Sequence, residues 1–101
     1  MTDLVHNNGA NIIGQLHIVR DIDISVEEIQ KIPDLFADAT LRAKKAGFDG
    51  IEIVANHHVF LSKLLSPMFN HRNDEYGGSD ENRARIIVDI IKKIREKVGN
   101  D

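Results

Sequence analysis

A chain of 101 residues with an apolar fraction of 42% and a net charge of −3 has room for one domain, one that buries only about 65% of its unfolded surface. Acids and bases are interspersed with no basic stripe, which argues against a nucleic-acid partner, and the absence of cysteine excludes disulfides and thiolate zinc sites. The apolar runs are too short to cross a bilayer and "MTDLVHNNGA" has no signal-peptide core, so a cytoplasmic protein with no membrane partner is expected.

Thr2 to His6 reads as the end of a helix, closed by Asn7, Asn8 and Gly9, residue types that tolerate the left-handed conformation of helix ends. "ANIIGQLHIV", Ala10 to Val19, is a short apolar run with β-branched residues and reads as a strand buried on both faces. Ser25, followed three residues later by Glu28, forms a capping box that starts a helix at Val26. Pro33 falls about two turns in, where it removes a donor and crowds the preceding turn, so a kink or restart is expected there. The helix then continues to Ala46 with Leu35, Phe36, Ala39, Ala43 and Ala46 on one face, and Gly47 stops it.

"FDGIEIV", Phe48 to Val54, is a second strand; "HHVFLSKLL" fits a short helix or an irregular loop equally well. A polar loop occupies Ser66 to Gly78. Ser79 caps the last helix, with Asp80 and Glu81 in its first turn, where the helix dipole favours negative charge. Ile86, Ile87, Ile90, Ile91, Ile94 and Val98 form its apolar stripe, and Gly99 closes it. Strand, helix, strand, helix in this order makes two consecutive βα units of an α/β fold with parallel strands. Functional groups in such units collect where strands end, here Gln15 and His17 after the first and Asn56, His57 and His58 after the second.

The run "FADATLRAKKAGFDGIEI", followed by "LLSPMFNHRNDEYGGSDENRARIIVDII", closely resembles the old yellow enzyme family of NADH:flavin oxidoreductases. That family's signature of Ser-Pro, then Asn, Arg, Asp-Glu-Tyr-Gly-Gly-Ser and Glu-Asn-Arg runs here from Ser66 to Arg85, and "NGANIIGQLHIVR" is similar to its third barrel strand. The resemblance implies a (β/α)8 TIM barrel, FMN as cofactor, NAD(P)H as reductant and α,β-unsaturated carbonyl compounds as substrates. Such barrels take about 250 residues. The chain resembles only strands three and four with their helices, a quarter of a barrel. The family's long segment between strand three and helix three is replaced by "DID". Residues 1–101 therefore read as a single partial-barrel module, internally shortened.

The resemblance places Gln15 at the amide that hydrogen-bonds the flavin pyrimidine ring; a Gln that merely caps a strand end is the plain alternative. An ungapped count from Glu52 to Ser66 and Pro67 sets Val54 at the first of two carbonyl-polarising positions, His57 at the second, and Val59 at the proton-donating Tyr. Valine can neither donate a hydrogen bond nor transfer a proton, and general acid catalysis contributes about 10²–10⁴-fold. His57 is thus the one catalytic-site residue expected to remain. His17, His57, His58 and His71 lack recurring metal-ligand spacing, so no metal site is expected. Arg72, Asp74, Glu75, Arg83 and Arg85 read as the network that folds the loop. Two strands with open edges cannot cover themselves, which predicts self-association, with a homodimer favoured because it needs one kind of interface. A catalytically silent, self-associating module is the alternative to an active oxidoreductase.

Overall fold

The computed structural model describes residues 1–56 and 59–99. Along them run helix α1 (Thr2–Asn7), strand β1 (Ile13–Leu16), helix α2 (Val26–Lys45), strand β2 (Gly50–Ile53), helix α3 (Phe60–Leu65) and helix α4 (Asp80–Val98). β1 and β2 pair in parallel, in a register that sets Ile13 opposite Gly50 and Leu16 opposite Ile53. The fold is α/β, two βα units, as the order of sequence patterns implies.

Local chemistry sets the helix ends. The Ser25 hydroxyl accepts the Glu28 N–H at 3.2 Å, and the Ser79 hydroxyl accepts the Asn82 N–H at 3.1 Å, each satisfying a donor that the first turn leaves free. Gly47, at φ +95°, takes the left-handed conformation needed just beyond α2. The restart expected at Pro33 does not occur: α2 is one helix from Val26 to Lys45. A proline costs about 3 kcal/mol in a helix interior. Ile29, Ile32, Phe36 and Ala37, buried in the turns on either side, hold the helix through it.

The core is mainly helical. Ile29, Ile32 and Phe36 from α2, Phe60, Leu61 and Leu64 from α3, and Ile86 and Ile90 from α4 form one cluster with Tyr76 of the loop. The sheet touches this cluster from one side, through Leu16 and Ile53. Its opposite side is bare: Ile13 is 57% exposed, and Gln15 and Glu52 are exposed beside it. The expectation of a first strand buried on both faces therefore fails, because no described element covers that side. The strand is also shorter than Ala10–Val19. The buried face of α2 differs too. Thr40 and Ala37 are buried while Leu35 is 49% exposed, since α2 packs against both the sheet and α4 and its buried stripe turns towards the second helix.

α1 closes the end of the sheet where the strands begin. The Thr2 hydroxyl donates to the Ala46 carbonyl at 2.7 Å, and Asp49 Oδ2 accepts the Ile12 N–H at 2.7 Å while lying 2.8 Å from His6 Nε2. The Ile12 N–H, then His6, hold the Asp49 carboxyl below the usual carboxylate range. The molecule is drawn out to 50 × 26 × 19 Å. Its radius of gyration is 15.2 Å, against about 13 Å for a compact domain of this length.

Candidate functional site

The bare side of the sheet carries the residues that the sequence singles out. Gln15 and Glu52 are register partners on neighbouring strands, so their side chains leave the sheet together. Gln15 Nε2 donates to Glu52 Oε1 at 2.9 Å, which commits part of the amide to a carboxylate. Gln15 is thus exposed, with its amide nitrogen held by a side chain of the neighbouring strand. Glu52, its partner 37 residues away, was not singled out, although a charged residue inside "FDGIEIV" marks that position as one that faces away from the core.

Beyond β2 the chain leaves the sheet at Val54, whose N–H donates to the Leu16 carbonyl at 2.9 Å, extending the ladder by one bond. Val59 is the residue from which α3 starts, and Lys63 N–H donates to its carbonyl at 3.0 Å. Both side chains are hydrocarbon, Val54 just beyond β2 and Val59 at the start of α3. His57, the expected polarising residue, lies outside the described residues, as does His58. His17 is exposed and sits with Leu16, Arg20 and Leu35 at the outer edge of β1.

Among the described residues these groups do not make a cradle that fits FMN. A flavin mononucleotide needs donors for its ring edge and a cationic or amide-lined cradle for its phosphate. Gln15 offers one amide already paired with Glu52. The two long helices begin with Glu27 and Glu28, and with Asp80 and Glu81, so their N-termini meet a phosphate with like charge. Among the described residues no group of three His, Asp or Glu side chains could hold a metal ion.

The polar loop is built quite differently. Asn70 is buried, donates to the carbonyls of Leu64 at 2.6 Å and Tyr76 at 2.8 Å, and accepts the Arg72 N–H at 2.9 Å. Arg72 donates to both Asp74 carboxylate oxygens and reaches back 50 residues to the Ile22 carbonyl at 2.9 Å, and to that of Ile24 at 2.8 Å. The guanidinium holds the Asp74 carboxyl below the usual range, helped by the Tyr76 N–H. Arg85 donates to the Glu75 carbonyl and Asn82, Asn82 donates to the Gly77 carbonyl, and Arg83 pairs with Asp80. Every buried side-chain polar atom among the described residues has a partner. This is a structural network, the role expected from its charges. Asn70, its hub, carries a signal in the sequence only through the signature itself.

Known proteins place the arrangement. An NADPH dehydrogenase from Bacillus pumilus is 45% identical over 75 residues, covering 74% of this chain and 22% of the relative. An NADH oxidase from Thermoanaerobacter brockii is 44% identical over 79 residues, 78% of this chain and 12% of the relative. The chain thus spans less than a quarter of the length of either. Among solved structures, an old yellow enzyme homologue from Zymomonas mobilis superposes at a TM-score of 0.85 with 26% identity, covering 97% of this chain and 38% of that one. Morphinone reductase superposes at 0.71 with 37% identity, over 75% of this chain and 21% of its own. The two βα units therefore correspond to part of an old yellow enzyme barrel. The sequence model of the NADH:flavin oxidoreductase / NADH oxidase family matches residues 2–101, and the chain belongs to that family.

Proposed function

We propose that this chain is a partial-barrel module of an FMN-dependent NAD(P)H oxidoreductase acting on α,β-unsaturated carbonyls, and that alone it is catalytically silent. Of the groups that would polarise the carbonyl and deliver a proton, it keeps only His57, while Val54 and Val59 stand where a second polarising group and a Tyr would be needed. Gln15 would be its contact to the flavin ring. The observation that carries the reading is the pair of valines, fixed by an ungapped register to the Ser66–Arg85 signature. A titration of the 101-residue chain with FMN, followed by flavin fluorescence, is expected to show no sub-micromolar binding; such binding would overturn the reading. Val54→His with Val59→Tyr restores the donors but not a phosphate cradle, so no enone-dependent NAD(P)H oxidation above free flavin is expected.

The second reading is a non-catalytic module that associates with itself as a homodimer. The uncovered sheet favours it: a two-stranded sheet is marginal alone, and parallel sheets are almost always covered on both faces. Both readings place the chain in the cytoplasm, in keeping with its lack of cysteine and with the absence, among the described residues, of a helix able to cross a membrane.

A further inference from the structure

The ring of Tyr76 belongs to the core, yet its hydroxyl is left over. The residue is 4% exposed, and its backbone is committed, the N–H to Asp74 and the carbonyl to Asn70. The phenol oxygen makes no hydrogen bond among the described residues. Every buried side-chain polar atom there has a partner, so this oxygen is not sealed in. It opens into a groove of about 460 Å³ whose walls are α2, the polar loop and α4 of this same chain. Gln30 and Pro33 stand on one wall and Asp89 and Lys92 on the other, with Glu75 beside the phenol. A tyrosine held this deep ordinarily finds a partner for its hydroxyl, and the groove is where that partner would come from.

The charges of the groove decide its chemistry. Lys93 pairs with Asp34 at 3.5 Å and lies 3.9 Å from Glu96, so those charges answer one another. Arg85 is committed to the Glu75 carbonyl and to Asn82. Gln30 Nε2 donates to Glu75 Oε1 at 3.1 Å, which holds that side chain in the groove and leaves its other oxygen open. Asp89 is half-buried and has no ion-pair partner among the described residues. Burial pushes the Tyr76 phenol above its usual range, and the carboxylates of Glu75 and Asp89 raise it further against Arg85. The hydroxyl therefore keeps its proton and stands in a negative field that repels an anion. A primary ammonium is suited to it, with three N–H donors for the Tyr76 oxygen and the two carboxylates. A metal ion is not, since among the described residues no three acidic or histidine side chains come together closely enough.

We propose that the groove between α2 and α4 is a binding site for a primary alkylammonium compound, held by the Asp89 and Glu75 carboxylates and the Tyr76 hydroxyl. Pro33 gives its alkyl chain an apolar wall. Lys92, one turn from Asp89 and without an ion-pair partner among the described residues, competes for the same carboxylate. The site shares no residue with the flavin and carbonyl positions at Gln15, Val54, His57 and Val59, so it stands or falls apart from that reading.

Tyr76 is the sole tyrosine and the chain has no tryptophan, so intrinsic fluorescence reports on this groove alone. Titrating the 101-residue chain with n-butylammonium chloride is expected to give a saturable change, with a dissociation constant on the order of millimolar, within reach of so small a ligand. Sodium chloride and tetramethylammonium chloride at equal ionic strength are expected to give none, because neither cation donates an N–H. Asp89→Asn should weaken binding on the order of tenfold, and Lys92→Ala should tighten it about threefold. No saturable change, an equal response to tetramethylammonium, or saturation by inorganic phosphate instead overturns the proposal. So does an Asp89→Asn chain, folded by circular dichroism, that binds as the wild type does. If Asp89→Asn unfolds, Lys92→Ala decides, since Lys92 is exposed: tighter binding upholds the site, and unchanged or weaker binding overturns it.

Discussion

The helical side and the sheet's bare side of this molecule obey opposite rules. On the helical side Ile29, Leu61, Leu64 and Ile90 are fully buried, and the adjoining loop satisfies all its buried polar atoms. On the bare side Ile13, Gln15 and Glu52 meet solvent. The first set is completed by residues within this chain; the second is a surface that a full barrel would fill with side chains from other strands. A module of this kind can fold through its helices and loop while the face that would carry the chemistry stays unfinished.

The difference can be broken most severely from the helical side. Ile90→Ala removes a fully buried side chain where α2, α3 and α4 meet, and such truncations cost about 2–5 kcal/mol. A domain this small holds on the order of 5–10 kcal/mol in all. The variant is expected to unfold at much lower urea than the wild type, or to be largely unfolded, whereas Ile13→Ala should shift the midpoint little. Equal shifts would mean that the bare side is covered in solution. Gly77→Ala belongs with the severe changes, because a Cβ there would meet the Arg72 carbonyl and lie 2.8 Å from Asn70 Oδ1.

Arg72 comes next. Its guanidinium ties the loop to the β1–α2 connection through two carbonyls and to Asp74. Arg72→Ala leaves those acceptors to whatever water can reach them, at about 2–3 kcal/mol. The same pair predicts a pH dependence. The folded-state pKa of Asp74 is lowered from 3.8, so its contribution is present above that value and is lost as pH falls through the folded value. Asp74→Asn should therefore flatten the loss of stability seen by urea denaturation below about pH 4. Asp38, beside Lys97, and Asp49 are lowered too, so the difference between wild type and variant is the informative quantity.

What was legible in the sequence follows the range of the interactions. The two serine caps, the positive-φ glycines beyond α2 and α4, and the strand–helix order all depend on residues a few positions apart. The family was legible because Ser66–Arg85 is a long, contiguous pattern. The extent of β1, the stripe of α2 and the reach of Arg72 to Ile22 and Ile24 were not, because each depends on a distant neighbour or on a missing one. Pro33 belongs here too: a local rule allowed a kink or a restart, and packing on both flanking turns carried the helix through without the restart. α3 stayed ambiguous until Phe60, Leu61 and Leu64 found their burial against α4.

The smallest expected effect tests the bare side most sharply. Gln15 and Glu52 form a 2.9 Å hydrogen bond between exposed side chains. Water replaces each partner when the other is removed, so Gln15→Ala and Glu52→Ala should each change stability by no more than about 0.5 kcal/mol, with little coupling in a double-mutant cycle. If another element covers this side in solution, the two groups sit in a drier medium, and deleting one strands the other without a partner. The single changes would then cost about 1–3 kcal/mol and the double change less than their sum. A four-member cycle by urea denaturation distinguishes the cases.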